Sequence, residues 1–216
     1  MTRTELAALI DHSALRPDVT DRGILTLCDE ARQYGFYAVC VNARFAPLAA
    51  AALRDSAVRV CAVVGFPLGA TTTQSKCQET AEAVAAGAHE IDMVLAIGAL
   101  KSGQTDVVRD EIAAVKAACN GALLKVIIEA CLLTDDEKVL ACELARDAGA
   151  DFVKTSTGFS KSGATTADIA LMRRTVGNVM GVKAAGGVST FEAALAMVAA
   201  GASRIGASAS VRMVSD

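Results

Sequence analysis

The chain has 216 residues and a net charge of −3, with acids and bases spread evenly along it. Apolar residues make up 53%, aromatics only 4%, and tryptophan is absent. This profile excludes a disordered segment and a basic-aromatic nucleic-acid module, and no run of ~18 apolar residues is present to span a membrane. The N-terminus, Met1-Thr2-Arg3-Thr4-Glu5-Leu6, lacks the apolar core of a signal peptide. The seven cysteines are odd in number and widely spaced, with no CxxC pair, and read as buried free thiols of a reducing, cytoplasmic compartment. With two histidines, a zinc site of several His ligands cannot be built, so no metal or cofactor is expected.

Along the chain, short apolar runs alternate with stretches of helical period. The predicted strands are Leu9–Ser13, Tyr37–Asn42, Arg59–Gly65, Glu90–Leu95, Leu124–Glu129, Asp151–Ser156, Val179–Lys183 and Arg204–Gly206. Most are almost continuously apolar, as strands buried on both faces should be. Between them lie predicted helices at Asp18–Tyr34, Phe45–Asp55, Thr73–Ala86, Thr105–Ala118, Asp135–Ala148, Thr166–Val176 and Thr190–Ala200, followed by a short tail helix. Thr134-Asp135-Asp136-Glu137 has the form of a capping box, and glycines at 35, 87, 149 and 201 stop helices before the next strand. Eight strands alternating with helices, without a linker or composition break, predict one (β/α)₈ TIM barrel over residues 1–216. An open doubly wound sheet is the alternative, but its GxGxxG fingerprint after the first strand is missing.

In a barrel, catalytic groups come from the carboxyl ends of strands. Polar residues collect there in Asp11-His12-Ser13, Asn42, Asp92, Glu129, Lys154 and Lys183. Lys154 and Lys183 fall on neighbouring strands, one spacing of ~4.8 Å apart. Two unit charges ~5 Å apart at an effective dielectric of ~20 repel by roughly 3 kcal/mol, which favours loss of a proton from one amine. A neutral amine can attack a carbonyl and form an imine. Asp92, of the same parity as Glu90, either neutralises a core lysine or passes protons with Lys183. Gly186-Gly187-Val188-Ser189 and Gly206-Ala207-Ser208 follow the last two strands, where barrels commonly hold phosphate.

Phe152-Val153-Lys154-Thr155-Ser156-Thr157-Gly158-Phe159, Val182-Lys183-Ala184-Ala185-Gly186-Gly187-Val188 and Glu90-Ile91-Asp92-Met93-Val94 are similar to motifs of the 2-deoxyribose-5-phosphate aldolases. So are Ile10-Asp11-His12, Ala38-Val39-Cys40-Val41-Asn42 and Gly65-Phe66-Pro67-Leu68-Gly69. The matches keep their order over nearly the whole chain. The resemblance implies a cofactor-free class I aldolase of barrel fold that interconverts 2-deoxy-D-ribose 5-phosphate with acetaldehyde and glyceraldehyde 3-phosphate. It implies that Lys154 forms the imine, that Lys183 perturbs it and shares in proton transfer, and that Asp92 belongs to the relay. It places Gly158, Gly186, Gly187 and Ser208 in phosphate loops, with Thr157 beside them. Many relatives carry a second serine where Ala209 stands, and some a lysine where Phe159 stands.

Asp11 and Asn42 are candidates for substrate binding, with bracing of a loop or turn the alternative for each. Cys40 reads as core, and Lys76, Lys101, Lys116 and Lys125 as solvated. Glu129 could pair with Lys154 or Lys183, and whether Glu129 or Glu90 pairs with the lysines stays open. A sugar-phosphate isomerase whose lysines only clamp phosphate, and a catalytically silent binding protein, are the rival functions. The partners expected are small sugar phosphates and aldehydes, not nucleic acid or membrane; a homodimer is compatible with a barrel of this size, though no sequence feature fixes an interface.

Overall fold

A computed structural model describes residues 1–215. Its eight parallel strands, hydrogen-bonded in sequence order, close on themselves as the first pairs with the last. They are β1 (Ile10–Ala14), β2 (Ala38–Asn42), β3 (Arg59–Val64), β4 (Glu90–Val94), β5 (Leu123–Ile127), β6 (Phe152–Lys154), β7 (Gly181–Ala185) and β8 (Arg204–Ala207). The (β/α)₈ barrel expected from the alternating pattern is therefore present, and the open sheet is not.

Seven helices form the outer ring: α2 (Asp21–Tyr34), α3 (Ala46–Ala52), α4 (Thr73–Ala85), α6 (Thr105–Ala118), α7 (Asp135–Asp147), α8 (Thr166–Val176) and α9 (Phe191–Ala199), and α10 (Ser210–Val214) is the tail helix. Local signals set their ends. Thr134 and Glu137 make the reciprocal capping box of α7, and Gly35 adopts φ +69° to close α2. Two short helices were not expected. α1 (Arg3–Ala7) is too brief to show a period, yet Thr2 and Glu5 cap it as a box, and Arg3 Nη1 donates to the Met213 carbonyl at 2.8 Å. α5 (Ile97–Lys101) is a single extra turn between β4 and α6.

Strand parity divides the side chains into two compartments. Val39, Val60, Ile91, Leu124, Val153, Val182 and Ile205 face outward and merge with the inner faces of the helices into one apolar layer. Their neighbours in sequence point into the barrel. Cys40, Cys61 and Val63 form a small separate cluster there, with Leu15 and Phe66 packed against it. No helix among the described residues is long and apolar enough to cross a membrane.

Two lysines overturn the solvated reading at once. Lys76 is fully buried between α4 and α6, where its Nζ donates to Glu111 Oε1 at 2.6 Å. A helical lysine looks solvated when its partner lies on another helix, because the pairing crosses 35 residues. Lys125, also fully buried, belongs to the site below.

Candidate active site

Side chains on strands that are not neighbours can meet only through the lumen, and charged ones meet here. Asp92 on β4 accepts from three cations. Lys125 Nζ reaches its Oδ1 at 2.8 Å, while Lys154 Nζ and Lys183 Nζ share its Oδ2 at 2.7 and 2.8 Å. Lys154 and Lys183 are direct register partners on β6 and β7, as the matching sequence contexts required. Because both bond to one oxygen, their nitrogens can be no farther apart than those two bonds combined. Asp11 on β1 accepts from Lys183 through Oδ2 and from Arg204 Nη1 through Oδ1 at 2.9 Å. Glu90 accepts from Arg204 at 3.1 Å and lies 2.6 Å from Lys125 Nζ. Three carboxylates and four cations are thus threaded through a lumen that barrels ordinarily fill with branched aliphatic residues.

The network favours the charged forms of Asp11, Asp92, Lys125 and Lys183. Burial alone would raise the Asp92 carboxyl, but Lys125, Lys154 and Lys183 outweigh it and hold it well below the usual carboxylate range. Burial also opposes ionised Asp11, yet Lys183, Lys125 and Arg204 bring it down to about 2. For Lys183 burial disfavours the cation, and Asp11 and Asp92 overcome it, so its pKa lies above the ordinary lysine value. Lys125 is shifted in the same direction, chiefly by Asp92 against its own burial. Mutual repulsion of the two lysines is therefore not the whole electrostatic account: carboxylates hold Lys183 as a cation.

The network opens upward into a pocket of about 370 Å³ at the carboxyl ends of the strands. Asp11, Cys40, Lys154 and Lys183 form its floor, while Asp92, Lys125 and Cys61 lie deeper. Thr157, Gly158, Gly186, Gly187 and Ser208 line the walls, so the two glycine loops and the segment after β6 do converge on one space. Their approach requires glycine. A Cβ on Gly163 would sit 2.0 Å from the Gly186 carbonyl oxygen, and Gly186 itself has φ +87°. Gly206 is needed lower down, since a Cβ there would meet Lys183 Cε at 2.9 Å.

The remaining candidates take other places. Asn42 donates through Nδ2 to the Leu15 carbonyl at 3.3 Å, bracing the loop after β1. His12 faces outward, its Nε2 2.8 Å from Glu30 and its ring against Phe36. Glu129 reaches neither Lys154 nor Lys183: in the left-handed conformation at φ +52°, it accepts from the Thr157 backbone N–H at 3.2 Å and from the Thr157 hydroxyl. It thereby holds the loop that follows Lys154. Cys40 is both core and pocket floor, which the core reading only half described.

Sequence reasoning missed Lys125, Arg204, Cys61 and the pairings of Glu90. A signal existed for two of them. Lys125 and Cys61 interrupt apolar runs at the parity opposite to Leu124 and Val60, which face the helices. Arg204 begins its strand, where a cation is ordinarily solvated; here it lies over the Tyr37 ring at 3.5 Å and closes the lower end of the lumen.

The chain is similar to known proteins over nearly its whole length. Deoxyribose-phosphate aldolase of Rhodospirillum rubrum is 62% identical over 212 residues, covering 98% of this chain and 89% of that one. The Streptococcus suis enzyme of the same name is 56% identical over 210 residues, covering 97% and 96%. Among solved structures, a putative deoxyribose-phosphate aldolase from Coccidioides immitis superposes with a TM-score of 0.97 at 40% identity, covering 99% and 86%. The deoxyribose phosphate aldolase of Aeropyrum pernix, described as a tetramer, gives 0.92 at 34% identity, covering 99% and 91%. The DeoC/LacD family aldolase pattern matches residues 6–211, and the chain belongs to that family.

Proposed function

We propose that the chain is a class I aldolase that cleaves 2-deoxy-D-ribose 5-phosphate to D-glyceraldehyde 3-phosphate and acetaldehyde, reversibly, in the breakdown of deoxyribose phosphate. One observation carries the reading: a single carboxylate oxygen, Asp92 Oδ2, joins the amines of Lys154 and Lys183 at the floor of the pocket. Lys183 also holds Asp11, whereas Lys154 has Asp92 as its carboxylate partner. A fixed positive charge at Lys183 opposes a second one on the same oxygen, so Lys154 serves as the neutral nucleophile.

Lys154 attacks the C1 aldehyde of the open-chain sugar, and loss of water leaves a protonated imine. The iminium accepts the electron pair of the C2–C3 bond once the C3 hydroxyl is deprotonated. Glyceraldehyde 3-phosphate departs and an enamine remains on Lys154. Reprotonation at C2 and hydrolysis release acetaldehyde. Asp92 and Lys183 carry protons between the nucleophile and the reacting hydroxyl. The backbone amides at Gly158, Gly186 and Gly187, with the Ser208 hydroxyl, serve the phosphate at the opposite wall. Asp11 acts in this scheme by fixing Lys183.

Borohydride reduction in the presence of acetaldehyde tests the scheme. A stable adduct of one ethyl group should map to the peptide holding Lys154, and released acetaldehyde should appear in a coupled reductase assay with deoxyribose 5-phosphate. An unmodified Lys154 after reduction would overturn the imine mechanism.

A further inference from the structure

Beneath the pocket floor two thiols are placed as a pair. Cys40 on β2 and Cys61 on β3 are direct register partners, and both point into the lumen. Register partners on adjacent strands lie ~4.8 Å apart at Cα, inside the ~4.4–6.8 Å window that a disulfide spans. On the concave side of a closed barrel the side-chain vectors converge, and the two sulfurs and an Asp92 carboxylate oxygen all lie within 4.8 Å of one another. The Cys61 thiol donates to Asp92 Oδ1 at 3.1 Å, and Lys125 Nζ reaches the Cys61 sulfur at 3.4 Å. The same three ligand atoms could suggest a metal, but Lys125, Lys154 and Lys183 crowd that carboxylate and repel a divalent cation.

We propose that Cys40 and Cys61 form a peroxide-responsive thiol pair whose disulfide disassembles the carboxylate bridge beneath Lys154. Access favours Cys40 as the attacking thiol, because it lines the pocket while Cys61 lies behind it. Its pKa is lowered, first by the hydrogen bond with Cys61, and burial only partly opposes this. The Cys61 thiol is pushed up by burial and by that same contact, so the pair is electronically unequal. The Cys40 thiolate attacks the outer oxygen of a hydroperoxide, the O–O bond breaks, and the alcohol or water leaves with a proton. The sulfenic acid so formed is attacked by the Cys61 sulfur. The S–O bond breaks, and the hydroxide leaves as water with the Cys61 proton. Two thiols are oxidised and one peroxide is reduced.

An S–S bond of ~2.05 Å draws the Cys61 sulfur toward Cys40 and away from Asp92 and Lys125. Asp92 loses its thiol donor while it still holds three cations, and the oxygen shared by Lys154 and Lys183 shifts with it. The consequence for catalysis rests on the aldolase reading; formation of the bond does not.

Reduced protein is exposed to hydrogen peroxide, quenched with N-ethylmaleimide, and mapped by mass spectrometry without reductant. The Cys40 and Cys61 peptides should be linked, deoxyribose 5-phosphate cleavage should fall at least tenfold in step with the linked fraction, and dithiothreitol should restore both. In Cys61→Ala, judged against its own untreated rate, the link should be absent and dimedone should capture a sulfenic acid at Cys40. Linkage with undiminished cleavage overturns the proposal. So does peroxide consumption at half-exposed Cys77 and Cys131 while Cys40 and Cys61 stay reduced. An untreated protein that cleaves no deoxyribose 5-phosphate overturns the aldolase reading instead, and the linkage is still read by mass.

Discussion

The two faces of the barrel wall are made by alternate residues of the same strands, and they obey opposite physics. Outward, Leu124 and Val126 of β5 join a continuous apolar layer under the helices. Inward, Lys125 between them is equally buried yet bonds to Asp92 and Glu90. The outer face gains stability from area removed from water, without directional demands. The inner face takes seven ionisable side chains out of water, a cost its ion pairs offset only where every charge is partnered. An apolar lumen would be the simpler filling, so the ionic one is explained by chemistry. It holds Asp92 ionised and Lys183 charged directly beneath the pocket that Lys154 lines.

Lys154→Ala should separate chemistry from architecture most sharply. Loss of a covalent nucleophile should reduce kcat by about 10⁴-fold or more and abolish the borohydride adduct. The variant should stay folded, because the adjoining Lys125 and Lys183 keep Asp92 paired. An adduct of undiminished yield would move the nucleophile to another lysine.

Asp92→Asn should strike both functions of the lumen together. Removing a charge shared by three lysines leaves uncompensated cations, a loss of roughly 3–5 kcal/mol. Loss of the proton relay should also lower kcat by about 10²–10³-fold in the protein that remains folded. Urea midpoints and single-turnover rates measured on one preparation would show whether the two losses occur together.

The contrast within β5 is the narrower test. Leu124→Ala should cost about 2–5 kcal/mol through the cavity it leaves, with kcat of the folded fraction within about twofold. Lys125→Met should cost less, about 1–3 kcal/mol, because Asp92 keeps Lys154 and Lys183 and Glu90 keeps Arg204, but kcat should fall as well. Equal kcat for the two variants would mean that the inner face is structural only.

Parity also explains how much could be read beforehand. Continuous Val and Ile runs show strands buried on both faces, so the barrel and its caps were legible. Lys154, Lys183 and Asp92 stood out because they interrupt such runs near their downstream ends. Lys125 does so at the centre of β5, opposite Asp92, its register partner, but one residue into the predicted strand a lysine reads as strand entry. Arg204 and Glu90 meet across 114 residues, a pairing that no local pattern encodes. Glu129 lies past the end of its strand, in the left-handed conformation, so strand parity could not say where it points.

The smallest effect is the one that tells the two faces apart by pH. Asp11 is held down to about 2 against an ordinary 3.8. Its contribution, about 2 kcal/mol, is present above pH 4 and lost as pH falls through 2. Among the described residues the outer layer has the single buried pair Lys76–Glu111 in place of such a network, and it holds buried thiols: burial pushes Cys28 and Cys119 up to about 11, and Cys142 up to about 12. A raised thiol stabilises the fold below its ordinary value near 9, and that contribution is lost as pH rises through 11–12. Urea midpoints between pH 2 and 11 should therefore decline at both ends, for different reasons. Asp11→Asn should lessen the acid decline, which Asp92 shares, and leave the alkaline one, whereas Cys28→Ala combined with Cys142→Ala should lessen the alkaline decline, which Cys119 and Cys61 share, and leave the acid one. If either substitution changed both ends, the wall of the barrel would not be dividing two independent electrostatic compartments.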